Sequence, residues 1–267
     1  MQAALPMYFP PREALQAFWA ALVGLLHAHQ VPAPDIPVAL STPKDCHAQW
    51  LDPDLLLSQA CGYPLVTQLA DRVQLVGTFA YTAPGVQGTH CRSQLICRAM
   101  DTRTTLAEFA GSRLAFNDTI SQSGYNALRA LVAHTTQGPR PFFASSSRTG
   151  THYRSIDAVR SGAADMAAVD AVSWALWQHG NPALATQLTV FGQSGAYPGL
   201  PLITSWQTPA PLLAALRRSL HSVAHDAAYA NVRAPLLISG FAVTSMRDYQ
   251  RCLEMREQAY AQGVHAL

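Results

Sequence analysis

Charge is scarce in this chain, and lysine is almost absent. Asp, Glu, Lys and Arg make up 13% of the 267 residues, the formal net charge is +2, and Lys44 is the single lysine. The 18 basic residues are scattered and form no run, so the electrostatic footprint of a nucleic-acid binder or of a lipid-surface protein is missing. Cysteine is sparse too. Cys46, Cys61, Cys91, Cys97 and Cys252 are odd in number and widely spaced, which argues against a disulfide framework or a zinc ribbon. The 10 histidines include no HExxH motif, and Cys46 and His47 are adjacent residues that cannot readily chelate one ion. Neither a metal nor a cofactor is expected. No apolar run reaches the roughly 20 residues needed to span a bilayer, so direct membrane insertion is not expected either. The apolar stretch Ala14 to Leu26 lacks a basic leader and follows Pro10-Pro11-Arg12-Glu13, a helix-start pattern. It reads as an amphipathic helix of the folded protein. As numbered the chain shows no export signal: a periplasmic location requires a leader upstream, and a cytoplasmic location is the alternative.

What the chain has in quantity is apolar surface, with 49% hydrophobic residues and no disordered signature. That suffices for one large α/β domain or for two intertwined lobes of about 100 to 150 residues each. Short apolar runs alternate with helical patterns in βαβ rhythm: Ala3 to Tyr8, helix Glu13 to Ala28, a strand-like stretch near Pro37 to Leu40, Leu55 to Gln59, a helix-like Leu65 to Ala70, and Val73 to Tyr81. After the turn Thr82 to Gly85 a second series begins, with strands Ser93 to Arg98, Arg113 to Asn117, Met166 to Val169 and Gln187 to Phe191. Its helices are Gly124 to Ala133, Tyr153 to Arg160 and Ala171 to Trp177. The segment Pro198-Gly199-Leu200-Pro201 marks the return to the first lobe, which helices Pro211 to Val223 and Ser245 to Gln262 complete. The expected boundaries are therefore 1–82 with 200–267 for lobe 1, and 83–199 for lobe 2.

Three segments carry candidate chemistry. Arg113 to Tyr125 runs from an apolar strand through a polar loop, Ser121-Gln122-Ser123-Gly124, into a helix. Backbone N–H groups at a helix start, the macrodipole and serine hydroxyls together make an anion cradle, and Gly124 lets the backbone come close. Taken alone, the same Ser-x-Ser-Gly is an ordinary helix cap. In the second segment His152 stands in the first turn of a short helix capped by Thr151, where the dipole disfavours the imidazolium and a neutral ring can donate to an oxyanion. The alternative is a surface or capping histidine. In the third, Asp165 and Asp170 bracket a strand, separated by roughly 16 Å at 3.3 Å per residue, too far for a shared acid–base pair. Asp170 lies at the carboxyl end, where open α/β sheets bind ligands, and can accept a hydrogen bond from a protonated oxyanion, a hydroxyl or an amine, or simply cap the next helix.

The order of these segments resembles the phosphate/phosphite/phosphonate-binding family of ABC-transporter substrate-binding proteins. Matching residues are Pro6-Met7-Tyr8, the run from Asp54 through Gln59, Gly62 and Tyr63 to Pro64, Cys91-Arg92-Ser93, Ser121 to Gly124, His152, Asp170 and Pro198 to Pro201, which cover about residues 3 to 205. The resemblance implies a two-lobed α/β fold of the type 2 periplasmic-binding-protein kind, each lobe a mainly parallel sheet flanked by helices, with the ligand cleft between them. It implies that Ser121, Gln122, Ser123 and Gly124 hold an oxyanion, that His152 and Asp170 complete the pocket with Cys91 and Ser93, and that Tyr8, Gln59 and Tyr63 close from the other lobe. The family commonly has a tyrosine where Cys91 stands, and a smaller side chain there suits a bulkier organic anion than phosphate, with Tyr8, Tyr63, Tyr81 and Tyr197 available for its organic part. The implied partners are a small anionic ligand and an ABC permease, with the protein itself a monomer or weak dimer and without catalytic residues. An intracellular enzyme or ligand sensor on the same fold is the alternative, with Cys61 or Cys91 as nucleophile. The run Phe191-Gly192-Gln193-Ser194-Gly195-Ala196 lacks the last glycine of a hydrolase nucleophile elbow.

Overall fold

A computed structural model describes residues 1–135 and 141–267, and their packing separates two compact units. The first comprises 1–82, 87–89 and 198–249, the second 83–86, 90–197 and 250–267. Each contains its own five-stranded sheet with helices packed on it.

In the first unit the strands run in the order Gln2–Ala4, Leu55–Gln59, Pro201–Ser205, Val73–Tyr81, Ile238–Ala242. Leu55, Leu56 and Leu57 are all buried, the pattern of a strand covered on both faces. Helix Arg12–Ala28 starts behind Pro11 and buries Phe18, Leu22 and Leu26, one stripe at four-residue spacing. The Phe18 ring meets Phe79 of strand Val73–Tyr81 edge-on at 5.9 Å. The strand expected near Pro37 to Leu40 does not form. Val38 is 97% exposed, and Pro37, which has no N–H to give a ladder, is held instead by Trp19 Nε1, which donates to its carbonyl at 3.1 Å. The helix expected over Leu65 to Ala70 forms earlier, as Gly62–Thr67, with Pro64 in its first turn.

The second sheet has the order Leu188–Gln193, Ser93–Arg98, Met166–Asp170, Arg113–Phe116, Ser145–Arg148. At the amino end of the central strand, Asp165 pairs with Arg98 at 3.0 Å and Arg113 at 2.7 Å. The Arg113 guanidinium, helped by Arg98, holds this carboxyl well below the usual carboxylate range. Asp165 is thus occupied at the opposite end of the strand from Asp170.

Both sheets are mixed, not mainly parallel. In the first, 2–4 and 55–59 are parallel, while 201–205 runs antiparallel to 55–59 and to 73–81, and 238–242 antiparallel to 73–81. In the second, 113–116 is parallel to 145–148 and 166–170, but 93–98 is antiparallel to 166–170 and to 188–193. Strand-to-strand spacing in sequence suggests crossovers but cannot tell a crossover from a return that brings the chain back into a sheet in the opposite direction.

The last helix also differs from expectation. It spans Gln250–Ala261 and belongs to the second unit, not the first. The change falls after Tyr249, whose buried hydroxyl pairs with Thr78 Oγ1 at 2.7 Å and donates to the Gly199 carbonyl at 3.1 Å, within the first unit. From Gln250 onward Cys252, Met255 and Ala259 are buried. The Cys252 carbonyl accepts from Asn126 and the Met255 sulfur from Gln122, both in the second unit.

Candidate functional site

The segment read from the sequence as an anion cradle lies in the second unit and forms a capped helix start. Strand Arg113–Phe116 leads through a polar loop to Ser121, whose side chain caps the next helix by accepting from Gly124 N at 3.0 Å. That helix opens with a π turn, Gln122–Asn126, and continues as an α-helix, Ala127–Thr135. Such turns widen the helix by one residue and are frequent where a helix serves a ligand. Ser121 Oγ and Ser123 Oγ lie 3.4 Å apart, and Ser123 Oγ is 2.8 Å from His152 Nε2. Ser121, Ser123 and His152 therefore converge at the helix head.

His152 opens helix His152–Arg160, which Thr151 caps by accepting from Arg154 N at 3.2 Å. Burial pushes its pKa from 6.5 down to about 4, so the ring is neutral at neutral pH. Its Nδ1 is buried without a hydrogen-bond partner, as is Asn117 Oδ1. Both groups press on Gly124. A Cβ at that position would collide with Asn117 Oδ1 and lie 2.9 Å from Asn117 Cγ and 3.2 Å from His152 Cε1.

Asp170 ends strand Met166–Asp170 and caps helix Ala171–Gly180: its Oδ1 accepts from Val172 N at 2.8 Å and Ser173 N at 3.1 Å. Oδ1 thus takes both backbone donors, and Oδ2 accepts from Cys91 Sγ at 3.6 Å. Cys91 is only 2% exposed. Burial, and then the Asp170 charge, push its thiol pKa well up, so it is a packed thiol with little nucleophilic character. It lies in a small cluster with Ala127, Ala130, Ala171, Tyr197 and Met255. Ser93 is fully buried, and its hydroxyl donates to the Ser123 carbonyl at 2.7 Å while pairing with Tyr197 OH at 2.9 Å. It holds the cradle from behind, its proton already committed. Gln122 is likewise turned to the protein side: its Oε1 accepts from Asn126 at 2.8 Å and its Nε2 donates to Met255 Sδ at 3.2 Å.

Of the residues expected in the first unit, Tyr8 is buried and meets the Tyr81 ring edge-on at 5.4 Å. Gln59 donates to Tyr81 OH at 3.2 Å, and its carbonyl accepts from Trp50 Nε1 at 3.0 Å. Tyr63 is half-buried in the first turn of helix Gly62–Thr67. Tyr8, Gln59 and Tyr81 are thus joined by contacts that sequence distance hides.

Sequence reasoning singled out neither Asn117 nor Asn126, although both lie inside or beside the segment it chose. An asparagine in a loop reads as turn chemistry, and only the collision at Gly124 marks Asn117. His221 and His225 stand four residues apart with rings stacked at 4.2 Å, but His225 Nδ1 is 2.9 Å from the His221 carbonyl. Among the described residues there is no group of three side chains placed to hold a metal ion, and no helix long and apolar enough to cross a membrane.

Two α/β units, one of which presents a capped helix head beside a buried neutral histidine, define a solute-binding protein with the periplasmic-binding-protein fold. Similar solved structures include a binding protein component of an ABC phosphonate transporter from Pseudomonas aeruginosa, with 17% identity, 98% of this chain and 88% of that chain covered, and a TM-score of 0.75. PhnD1 from Prochlorococcus marinus in complex with methylphosphonate matches with 13% identity over 97% of each chain and a TM-score of 0.72. A Xanthomonas citri protein bound to ATP matches with 12% identity over 99% of each chain and a TM-score of 0.71. At these identities the likeness shows the fold. The chain belongs to the phosphonate periplasmic substrate-binding proteins of ABC transporters, a family whose sequence profile matches residues 52–249. No curated protein matches the sequence.

Proposed function

We propose that this protein captures a small phosphonate or a related organic oxyanion outside the cytoplasmic membrane and delivers it, chemically unchanged, to an ABC permease. The observation that carries this reading is the meeting of Ser121, Ser123 and neutral His152 at the head of the helix 122–135, beside two buried polar atoms without partners. Neutral donors directed at one point suit an oxyanion, because they bind it without the competing desolvation of a buried cation. Asp170 adds an acceptor, which favours a ligand that also brings a proton, such as a monoprotonated phosphonate or an ammonium group. In this reading Ser121, Ser123, Gly124, His152 and Asp170 touch the ligand. Ser93, Gln122 and Cys91 shape the wall behind, the small thiol leaving room for an organic substituent.

The test is a thermal-shift and calorimetric screen of phosphate, phosphite, methylphosphonate, aminoalkylphosphonates, sulfate and small carboxylates, with mass spectrometry of the recovered ligand. A ligand present at a hundredfold excess over its Kd stabilises the fold by about 2.7 kcal/mol. Stabilisation by an organic phosphonate recovered intact supports transport. A chemically altered ligand makes the protein an enzyme, and stabilisation by carboxylates alone removes the phosphonate reading.

Two substitutions probe the site. Ser123→Ala removes the hydroxyl donor without adding bulk, and should weaken oxyanion binding by roughly tenfold to a hundredfold, a charge-assisted hydrogen bond being worth about 1.5–3 kcal/mol. The unliganded melting temperature should change little. Asp170→Asn keeps an oxygen for the helix cap but loses the charge. It should shift preference away from protonated or amino-bearing ligands, seen as a flattened pH dependence of Kd between methylphosphonate and aminoalkylphosphonate titrations.

A further inference from the structure

We infer that Asn126 is a positioning residue for the anion-binding turn, and that through it the C-terminal helix Gln250–Ala261 forms part of the binding apparatus. The inference rests on the reading of the 121–124 segment as an oxyanion site and adds the element that sets its shape. A π turn is a strained way to begin a helix, since its i to i+5 hydrogen bond sacrifices the packing of the ordinary turn. Something must favour it over the α alternative.

Asn126 is placed to do so. Its backbone N–H donates to the Ser121 carbonyl at 2.9 Å, closing the π turn. Its side chain is fully buried, and all of its strong directions are used. Nδ2 donates to Gln122 Oε1 at 2.8 Å and to the Cys252 carbonyl at 2.9 Å, while Oδ1 accepts from Arg129 Nη2 at 2.7 Å. One carboxamide therefore ties together the first residue of the turn, the residue one α turn further on, and the C-terminal helix. Gln122 makes a second link by donating to Met255 Sδ at 3.2 Å. Arg129 is itself fixed by donating to the His265 carbonyl at 3.1 Å and by the rings of Tyr125 and Tyr260, whose centroids are 5.5 and 4.9 Å from its guanidinium carbon.

The consequence is geometric. Ser121 and Ser123 differ in their relation to His152 only through the path of the backbone between them, so relaxation of the π turn to an α turn would rotate Ser123 relative to Ser121. A buried polar network of this kind holds one conformation because any other leaves donors unpaired. The C-terminal helix matters here as the acceptor for two of those donors, beyond the apolar surface it covers.

The test compares the full-length protein with Asn126→Asp, which is nearly isosteric but removes the Nδ2 donors, and with Met255→Leu, which conserves volume and removes the sulfur acceptor. Methylphosphonate and inorganic phosphate are the titrants, and hydrogen exchange of residues 121–127 is read in the unliganded proteins. Asn126→Asp should lose roughly tenfold or more in affinity and Met255→Leu roughly threefold, as expected for two and one modest hydrogen bonds. Amide exchange should rise across the turn while strand 166–170 stays protected, a local change that general destabilisation would not produce. Unchanged turn exchange in both variants overturns the inference, and so does unchanged affinity alongside faster exchange. If Asn126→Asp does not fold, Met255→Leu decides alone by the same two readouts. If the parent protein binds neither titrant, the oxyanion reading is what fails, and the exchange measurement still decides whether Asn126 sets the turn.

Discussion

Gly124→Ala is expected to abolish oxyanion binding and to cost about 3 kcal/mol of stability, the upper part of the range for overpacking a buried site. The backbone of Gly124 needs no left-handed conformation; the constraint is space. The added methyl would collide with Asn117 Oδ1 and lie 2.9 Å from Asn117 Cγ and 3.2 Å from His152 Cε1. The backbone carbonyl of Asn117, from which that side chain springs, accepts from Gly150 N at 2.9 Å, and His152 Nε2 is 2.8 Å from Ser123 Oγ. Relief would move the carboxamide, the imidazole or the helix start, and each is a proposed part of the oxyanion site. Urea denaturation and methylphosphonate calorimetry on the same preparation check both halves. A variant that is destabilised but binds normally would show that Asn117 and His152 are structural neighbours of the site and not its walls.

Acidification is expected to remove about 3 kcal/mol of stability between pH 6.5 and pH 4 through His152 alone. The sign follows from the direction of its shift. In the unfolded chain the imidazole takes up a proton near pH 6.5, whereas in the folded protein burial delays this until about pH 4. Between these values the unfolded state binds more protons, so stability falls as pH falls, and below pH 4 the loss levels off. Asp165, held well below its ordinary value by Arg113 and Arg98, contributes in the same direction but only from the ordinary carboxylate range downward. The two windows are therefore separable. Denaturation midpoints from pH 7.5 to 4, compared between the parent and His152→Asn, isolate the histidine: the difference between the two curves should shrink on acidification. A constant difference would mean that His152 protonates in the folded protein as it does in solution.

Both results depend on groups whose roles were only partly legible beforehand. The helix start at Ser121, the histidine in the first turn of 152–160 and the aspartate ending strand 166–170 could be named from sequence because each obeys a local rule. Serine and aspartate cap helices through their own neighbours, and a run such as Met166 to Val169 declares a buried strand by composition. The succession of those segments sufficed to indicate the family.

Other features depend on distances along the chain that no local rule spans. Strand direction was misjudged because an antiparallel return and a parallel crossover can follow the same run of residues. The last helix was assigned to the wrong unit because its apolar face shows that it is buried but not against what. Ser93 and Gln122 read as ligand contacts in one dimension, and their bonds to Ser123, Tyr197, Asn126 and Met255 are visible only in the fold. Local sequence thus determined the kind of element at most positions and the chemistry available at the helix head. Tertiary structure alone decided which hydroxyls the protein itself engages, that a Cβ at 124 would meet Asn117 and His152, and that Asn126 joins the π turn to a helix 126 residues away. The physical reason is that capping and burial are set within a few residues, whereas the satisfaction of buried polar atoms is settled only by what the folded chain brings beside them.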